Sequence, residues 1–174
     1  SKIPGIAERL ARLIKKSNHL DVADAEIEFI TKHKIAAYFY LDDNYPQRLT
    51  HCEDAPVILY MKGFVEFNRK KVISIVGTRM PTDYGKSMTR ELVEQLATAH
   101  PDVLIVSGLA YGIDVCAHKA SLKHNLDTVG VLGHGLSTIY PASHRDIARE
   151  IAEKDYTIDT MVDRYEKIFT EVLK

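Results

Sequence analysis

Between Lys71 and Lys154 the chain repeats one pattern three times: a short apolar run, a glycine-containing loop and a helical stretch. Val72–Val76 (V-I-S-I-V) leads into a loop from Gly77 to Gly85, then a helical pattern from Lys86 to about Thr98 with Met88, Leu92, Val93 and Leu96 inward. Val103–Val106 leads into the loop Ser107–Asp114 and a helix over Val115–His124. Thr128–Leu132 leads into Gly133–Pro141 and a helix over Ser143–Lys154. Compact apolar strands separated by helices predict parallel pairing, because parallel neighbours need a crossover connection. The predicted class is α/β: a Rossmann-like parallel sheet of the doubly wound kind, truncated to three clear βα units, with helices on both faces.

A small N-terminal helical extension over residues 1–34 precedes this part. Ile6, Leu10, Leu13 and Ile14 recur at helical spacing between Ile3 and Lys16, and a second stretch from Asp21 to His33 places Val22, Ala25, Phe29 and Ile30 on one side. Pro4-Gly5-Ile6 resembles the hairpin of a helix-hairpin-helix, with Ala7 where a glycine is expected. The plainer reading is an appendage that packs on the main domain, residues 35–154. Ile35–Leu41 and Pro56–Met61 read as strands, and Asp42–Pro46 carries turn chemistry. Residues 155–174 read as one amphipathic helix, with Ile158, Met161, Val162, Tyr165, Ile168, Phe169 and Val172 on one face.

At 174 residues the chain can bury one substantial core. The formal net charge of −1 means that any polyanion must be held by a local cluster of donors. Cys52 and Cys116 form neither a C-x-x-C pair nor a disulfide framework, which fits a reducing, cytoplasmic compartment. No apolar run is long enough to span a bilayer, and no signal-peptide core stands near the N-terminus.

In an open parallel sheet, ligands bind beyond the carboxyl ends of the strands, where helix N-termini attract anions. All three glycine loops fall at that edge. Glycines allow close backbone approach, hydroxyls add donors, and the Arg79 fork suits a phosphate. The candidate phosphate-binding residues are Gly77, Thr78, Arg79, Ser107, Gly108, Gly112, Gly133 and Gly135. Duller explanations compete: Gly85, Gly133 and Gly135 turn the chain, Asp114 caps a helix, Ser143 with Asp146 forms a capping pair, and His118 sits in the core or on the surface. Arg79, two residues after the first strand's loop glycine, has no such folding explanation.

The first loop is neither G-x-G-x-x-G nor G-x-x-x-x-G-K-[ST], no H-E-x-x-H occurs, and no Ser/His/Asp set stands at a suitable order and spacing. The reading therefore assigns no catalytic residue, no metal and no cofactor.

Taken together, the loops resemble the DNA-processing protein A (DprA/Smf) family, whose members carry G-S-R with a following Y-G, S-G-x-A-x-G-I-D, and G-x-G-L-x-x-I-Y-P. Here these stand as Gly77-Thr78-Arg79 with Tyr84-Gly85, as Ser107 to Asp114 with Ala117-His118, and as Gly133 to Pro141. Asp43–Leu49 and Ala55–Gly63 also resemble the family, so that the likeness covers about residues 3–154. The resemblance implies single-stranded DNA binding without enzymatic activity, loading of the recombinase RecA in natural transformation, and Arg79 on the DNA backbone with Ser107, Gly108 and nearby amides lining the pocket. Thr78 replaces the usual serine and keeps its hydroxyl. The family's F-x-x-R-N-R stretch is missing after Lys154, and residues 155–174 depart from the pattern. That departure carries the expectation of a truncated or chimeric chain, which would cover its open sheet edge as a homodimer. The alternatives are a Rossmann-like enzyme that binds or hydrolyses nucleotides, whose P-G-G-x-G-T-x-x-E loop is absent, and a chimeric or designed scaffold with no native activity.

Overall fold

The computed structural model describes residues 8–16 and 20–154. Contacts divide the chain into two compact units after Ile35. In the first, α1 (Glu8–Lys16) and α2 (Leu20–Lys32) each carry an acid in the first turn and lysine in the last, which complements the helix dipole. The helix read over residues 155–174 lies outside the described residues.

In the second unit, β1 (Ile35–Phe39) and β2 (Ile58–Lys62) form a two-stranded sheet. β1 ends before Leu41 because the turn begins at its last residue. The Asp42 carboxylate accepts from the Phe39 amide at 3.1 Å, and the Phe39 carbonyl accepts from Asp42 N at 2.9 Å. Tyr45 is fully buried beyond that turn, and its hydroxyl donates to Pro56 O at 2.7 Å.

The repeat itself folds as a three-stranded parallel sheet in the order β3 (Val72–Ser74), β4 (Leu104–Ser107), β5 (Asp127–Gly130). Ile73 pairs with Ile105 and Ile105 with Thr128, which fixes the face on which the core forms. The helices are α3 (Asp83–Ala99), α4 (Ile113–Lys123) and α5 (Arg145–Glu153). Ile75, Val93, Val103, Ile105, Ala117, Ala120 and Leu126 make one buried cluster, with Ile73, Leu96, Ala97 and Ile113 packed around it. At roughly 2 kcal/mol for each fully buried aliphatic side chain, this cluster is the main force holding helices to sheet.

Three details differ from the sequence reading. α3 and α4 pack on each other and therefore share one face, instead of being divided between two. The described strands run in simple succession, with no reversal of order to send the second helix to the other side. α3 also begins about a turn earlier than the apolar pattern suggests, because Thr82 caps it: Thr82 Oγ1 accepts from Gly85 N at 3.2 Å. Gly85 is thus a helix residue. α5 starts from His144 with no side-chain cap bond, so the Ser143–Asp146 capping pair does not form.

At the start of β5, Asp127 joins distant segments. Its carboxylate takes Arg69 Nη2 on one oxygen and Lys154 Nζ on the other, the latter at 3.3 Å. Burial alone would raise the Asp127 pKa, but these two cations hold it below the ordinary carboxylate range. Lys154 also donates to Leu126 O at 2.6 Å, fastening the end of α5 to the start of β5.

Candidate nucleic-acid interface

The three β-to-α loops meet at the carboxyl rim of the sheet, and backbone contact holds them there. Gly112 sits at φ +85°, and a Cβ on it would overlap Thr78 O and come within 2.8 Å of Arg79 Cα. The next amide, Ile113 N, donates to Thr78 O at 3.2 Å. A Cβ on Gly77 would stand 2.7 Å from Ile113 Cγ1. Gly77 and Gly112 are therefore required where the first loop lies against the start of α4.

The second loop is held from within. Ser107, read from the sequence as a pocket residue, is buried, and its hydroxyl donates to Ile75 O at 2.6 Å across the β3–β4 pair. That hydroxyl is engaged in the sheet. Asp114 is not the cap of α4, a position taken by Gly112; its buried carboxylate accepts from Gly108 N at 3.1 Å. The Gly108 amide is thereby occupied as well, while the glycine itself still lines the rim cleft. Leu109 is 2% exposed with φ +56°, a conformation that only tight packing sustains for leucine.

The third loop is tied to the second through His144. Its Nδ1 lies 2.8 Å from Leu109 O, and its ring meets Tyr111 edge to face at 5.1 Å. His118 is a core residue, in agreement with the duller reading. It is fully buried, with Nδ1 2.7 Å from Thr128 Oγ1, and burial pushes its pKa down to about 4.

Between the loops lies a cleft of about 170 Å³ whose walls include Arg79, Gly108, Tyr111, Gly133, His134 and Tyr140. Thr78 Oγ1 accepts from Met80 N at 3.2 Å and so shapes the turn that presents Arg79. Among the described residues the Arg79 guanidinium makes no ion pair or hydrogen bond with the protein. Gly133 has open space around its α-carbon and borders the cleft; Gly135 is equally open but does not line it. The rim therefore gathers Arg79, Gly108 and Gly133 at one opening, uses Gly77, Thr78 and Gly112 to build it, and sets Ser107 behind it.

Tyr111 and Tyr140 escaped the sequence reading as ligand contacts. They are 45% and 66% exposed at the cleft and offer aromatic faces beside the guanidinium. An aromatic inside a glycine-rich loop is the signal that could have found them, since unpaired bases stack on exposed rings. The cleft is smaller than the roughly 300 Å³ at the low end for enclosed small-molecule sites. Among the described residues no group of three or more His, Cys, Asp or Glu could hold a metal ion, and no helix is long and apolar enough to cross a membrane.

A parallel α/β sheet with glycine loops, an arginine unpaired among the described residues and exposed aromatic rings at its carboxyl rim defines a Rossmann-like protein. The chain belongs to the DNA recombination-mediator protein A family, whose sequence model matches residues 36–168. That span continues past Lys154, where the resemblance read from the loops stopped, so residues 155–168 fall within the family match rather than outside it. The chain is 34% identical over 150 residues to Protein Smf of Synechocystis sp., covering 82% of this chain and 36% of that protein. The X-ray structure of DNA processing protein A from Streptococcus pneumoniae superposes with a TM-score of 0.63 at 34% identity, covering 72% of this chain and 44% of that one. A Helicobacter pylori DNA processing protein A structure, described for its single-stranded DNA binding mode, gives 0.58 at 30% identity, covering 68% and 51%. The chain thus spans only between about a third and a half of the length of these relatives.

Proposed function

We propose that this chain binds single-stranded DNA at the carboxyl rim, with the Arg79 guanidinium on a backbone phosphate and bases resting on Tyr111 and Tyr140. The observation that carries this reading is Arg79 itself: an arginine without a partner among the described residues, set between three glycine loops at the opening of the cleft. A single strand supplies what the cleft can accept, because its unstacked bases are free to meet aromatic faces while its phosphates meet the cation. The Helicobacter pylori relative, described for its single-stranded DNA binding mode, supports the same ligand class. The role is one of holding and handing over DNA, without a catalytic step. Partnership with RecA, suggested by the family resemblance, and self-association across the open sheet edge are part of this proposal.

A nucleotide-hydrolysing reading has no comparable support. Among the rim residues, the Asp114 carboxylate faces the Gly108 amide, and His118 lies fully buried beneath the loop against Thr128. Neither stands ready to activate water, and His134 in the cleft wall has its Nδ1 against Gly135 O at 3.0 Å, with no carboxylate paired to it among the described residues.

Arg79→Ala weakens oligo-dT binding by about 1–3 kcal/mol, the usual loss for a hydrogen bond to a charged group. The slope of log affinity against log salt shrinks by about 0.7, for one single-strand phosphate. Fluorescence anisotropy across a salt titration reads both. Unchanged affinity and slope reject the rim as the site.

A further inference from the structure

We propose that the groove between α3 and α4 is a second stretch of single-strand binding surface, which carries the polyanion away from the rim past Arg79. The proposal rests on the reading of the rim given above and extends it to residues that the three loops do not contain.

Both helices start at the rim, so the groove between them opens there and runs down toward the amino ends of the strands. It encloses about 1040 Å³, and Arg79 and Tyr111 border both this groove and the rim cleft. α3 contributes Lys86 and Arg90, and α4 contributes Lys119 and Lys123, each pair one helical turn apart on the same stripe. With Arg79 these five cations stand against three acids, Glu91 and Glu94 in the groove and Asp83 beside Lys86, on a chain whose formal net charge is −1. The positive charge is therefore concentrated here against the overall balance.

The cations are also available. Lys86 is paired with Asp83 at 3.0 Å, but among the described residues Arg90, Lys119 and Lys123 have no ion-pair partner. Val115, Cys116 and Ala120 supply short side chains to the groove wall, leaving room between the basic stripes. The α3 side mixes its charges as a solvated face does, but the charged residues that α4 brings are lysines alone, and the groove they line is continuous with the rim cleft.

The eleven residues of α4 give the groove a length of about 16 Å. That matches about five nucleotides at the stacked spacing of about 3.4 Å per nucleotide. A single strand fits better than a duplex: the shared Tyr111 face at the mouth has stacking to offer only to unpaired bases.

The test uses the full chain and oligo-dT in two lengths, one just long enough to saturate the rim and one several nucleotides longer. For Lys119→Gln/Lys123→Gln, short-oligo binding stays at the wild-type level. Long-oligo affinity falls roughly tenfold, and the salt slope for the long oligo shrinks by about 1.4, for two lost phosphate contacts. Glu94→Gln removes an anion from the groove and tightens long-oligo binding, an effect that a damaged fold cannot imitate. An unchanged slope for the long oligo in the lysine variant overturns the proposal and leaves the groove to another partner, such as an acidic protein surface. An equal loss for both lengths also overturns it, because the lysines would then be acting on the rim. Short-oligo binding that survives Arg79→Ala rejects the rim reading instead, so the two failures are distinguishable.

Discussion

The carbonyl oxygen of Thr78 stands so close to the α-carbon of Gly112 that no side chain fits between them, and Gly112 holds φ at +85°. The first loop can lie on the second only because that residue is glycine.

Gly112→Ala is therefore expected to destabilise the protein by about 3 kcal/mol or more, combining left-handed strain with displacement of the Arg79 loop. Gly135 has nothing within 4 Å of its added Cβ and no positive φ, so Gly135→Ala stays within about 0.5 kcal/mol of wild type. Urea unfolding of the two variants side by side checks both values.

Tyr111 separates stacking from charge. Tyr111→Ala weakens oligo-dT binding by about 1–3 kcal/mol while leaving the salt slope unchanged, and Tyr111→Phe keeps most of the affinity. A change in slope for Tyr111→Ala would mean that the ring acts by placing Arg79 rather than by meeting a base.

His118 makes stability depend on pH in a defined window. Its folded pKa is pushed down to about 4, so below pH 6.5 the unfolded chain takes up a proton that the folded chain refuses. Stability is full above pH 6.5 and declines as the pH falls toward 4, by roughly 3 kcal/mol from this group. His118→Gln flattens that decline, which unfolding curves at pH 7, 5.5 and about 4.5 measure.

Asp127 acts at lower pH. Its folded pKa lies below the ordinary value, so its contribution is present above about 3.9 and disappears as the pH falls through the depressed value. Asp127→Asn costs about 1–3 kcal/mol at neutral pH, since Arg69 and Lys154 lose a charged acceptor. Once the pH has fallen below the depressed value, the variant and the wild type converge.

The α/β class and the positions of the three parallel strands were legible in the sequence because short apolar runs alternating with helical periodicity have few other solutions. Arg79 was legible for the opposite reason, as a residue that folding does not require. What the sequence concealed depends on contacts between segments. Nothing local distinguishes the Ser107 hydroxyl as a bond to Ile75 from a ligand donor, and nothing local says that Asp114 reaches back to Gly108. His144, thirty-five positions from Leu109, becomes meaningful only once α5 lies beside the second loop. The sharing of one face by α3 and α4 likewise depends on strand order, which periodicity does not encode.

The tie from His144 to Leu109, joined to the seating of Gly112 under Thr78, means that the three loops cannot be exchanged one at a time. A loop transplanted from a relative would arrive without the neighbours that give it its shape. Grafting this rim onto another scaffold, or altering its ligand preference, would require moving all three loops with the first turns of α4 and α5 as a single cassette.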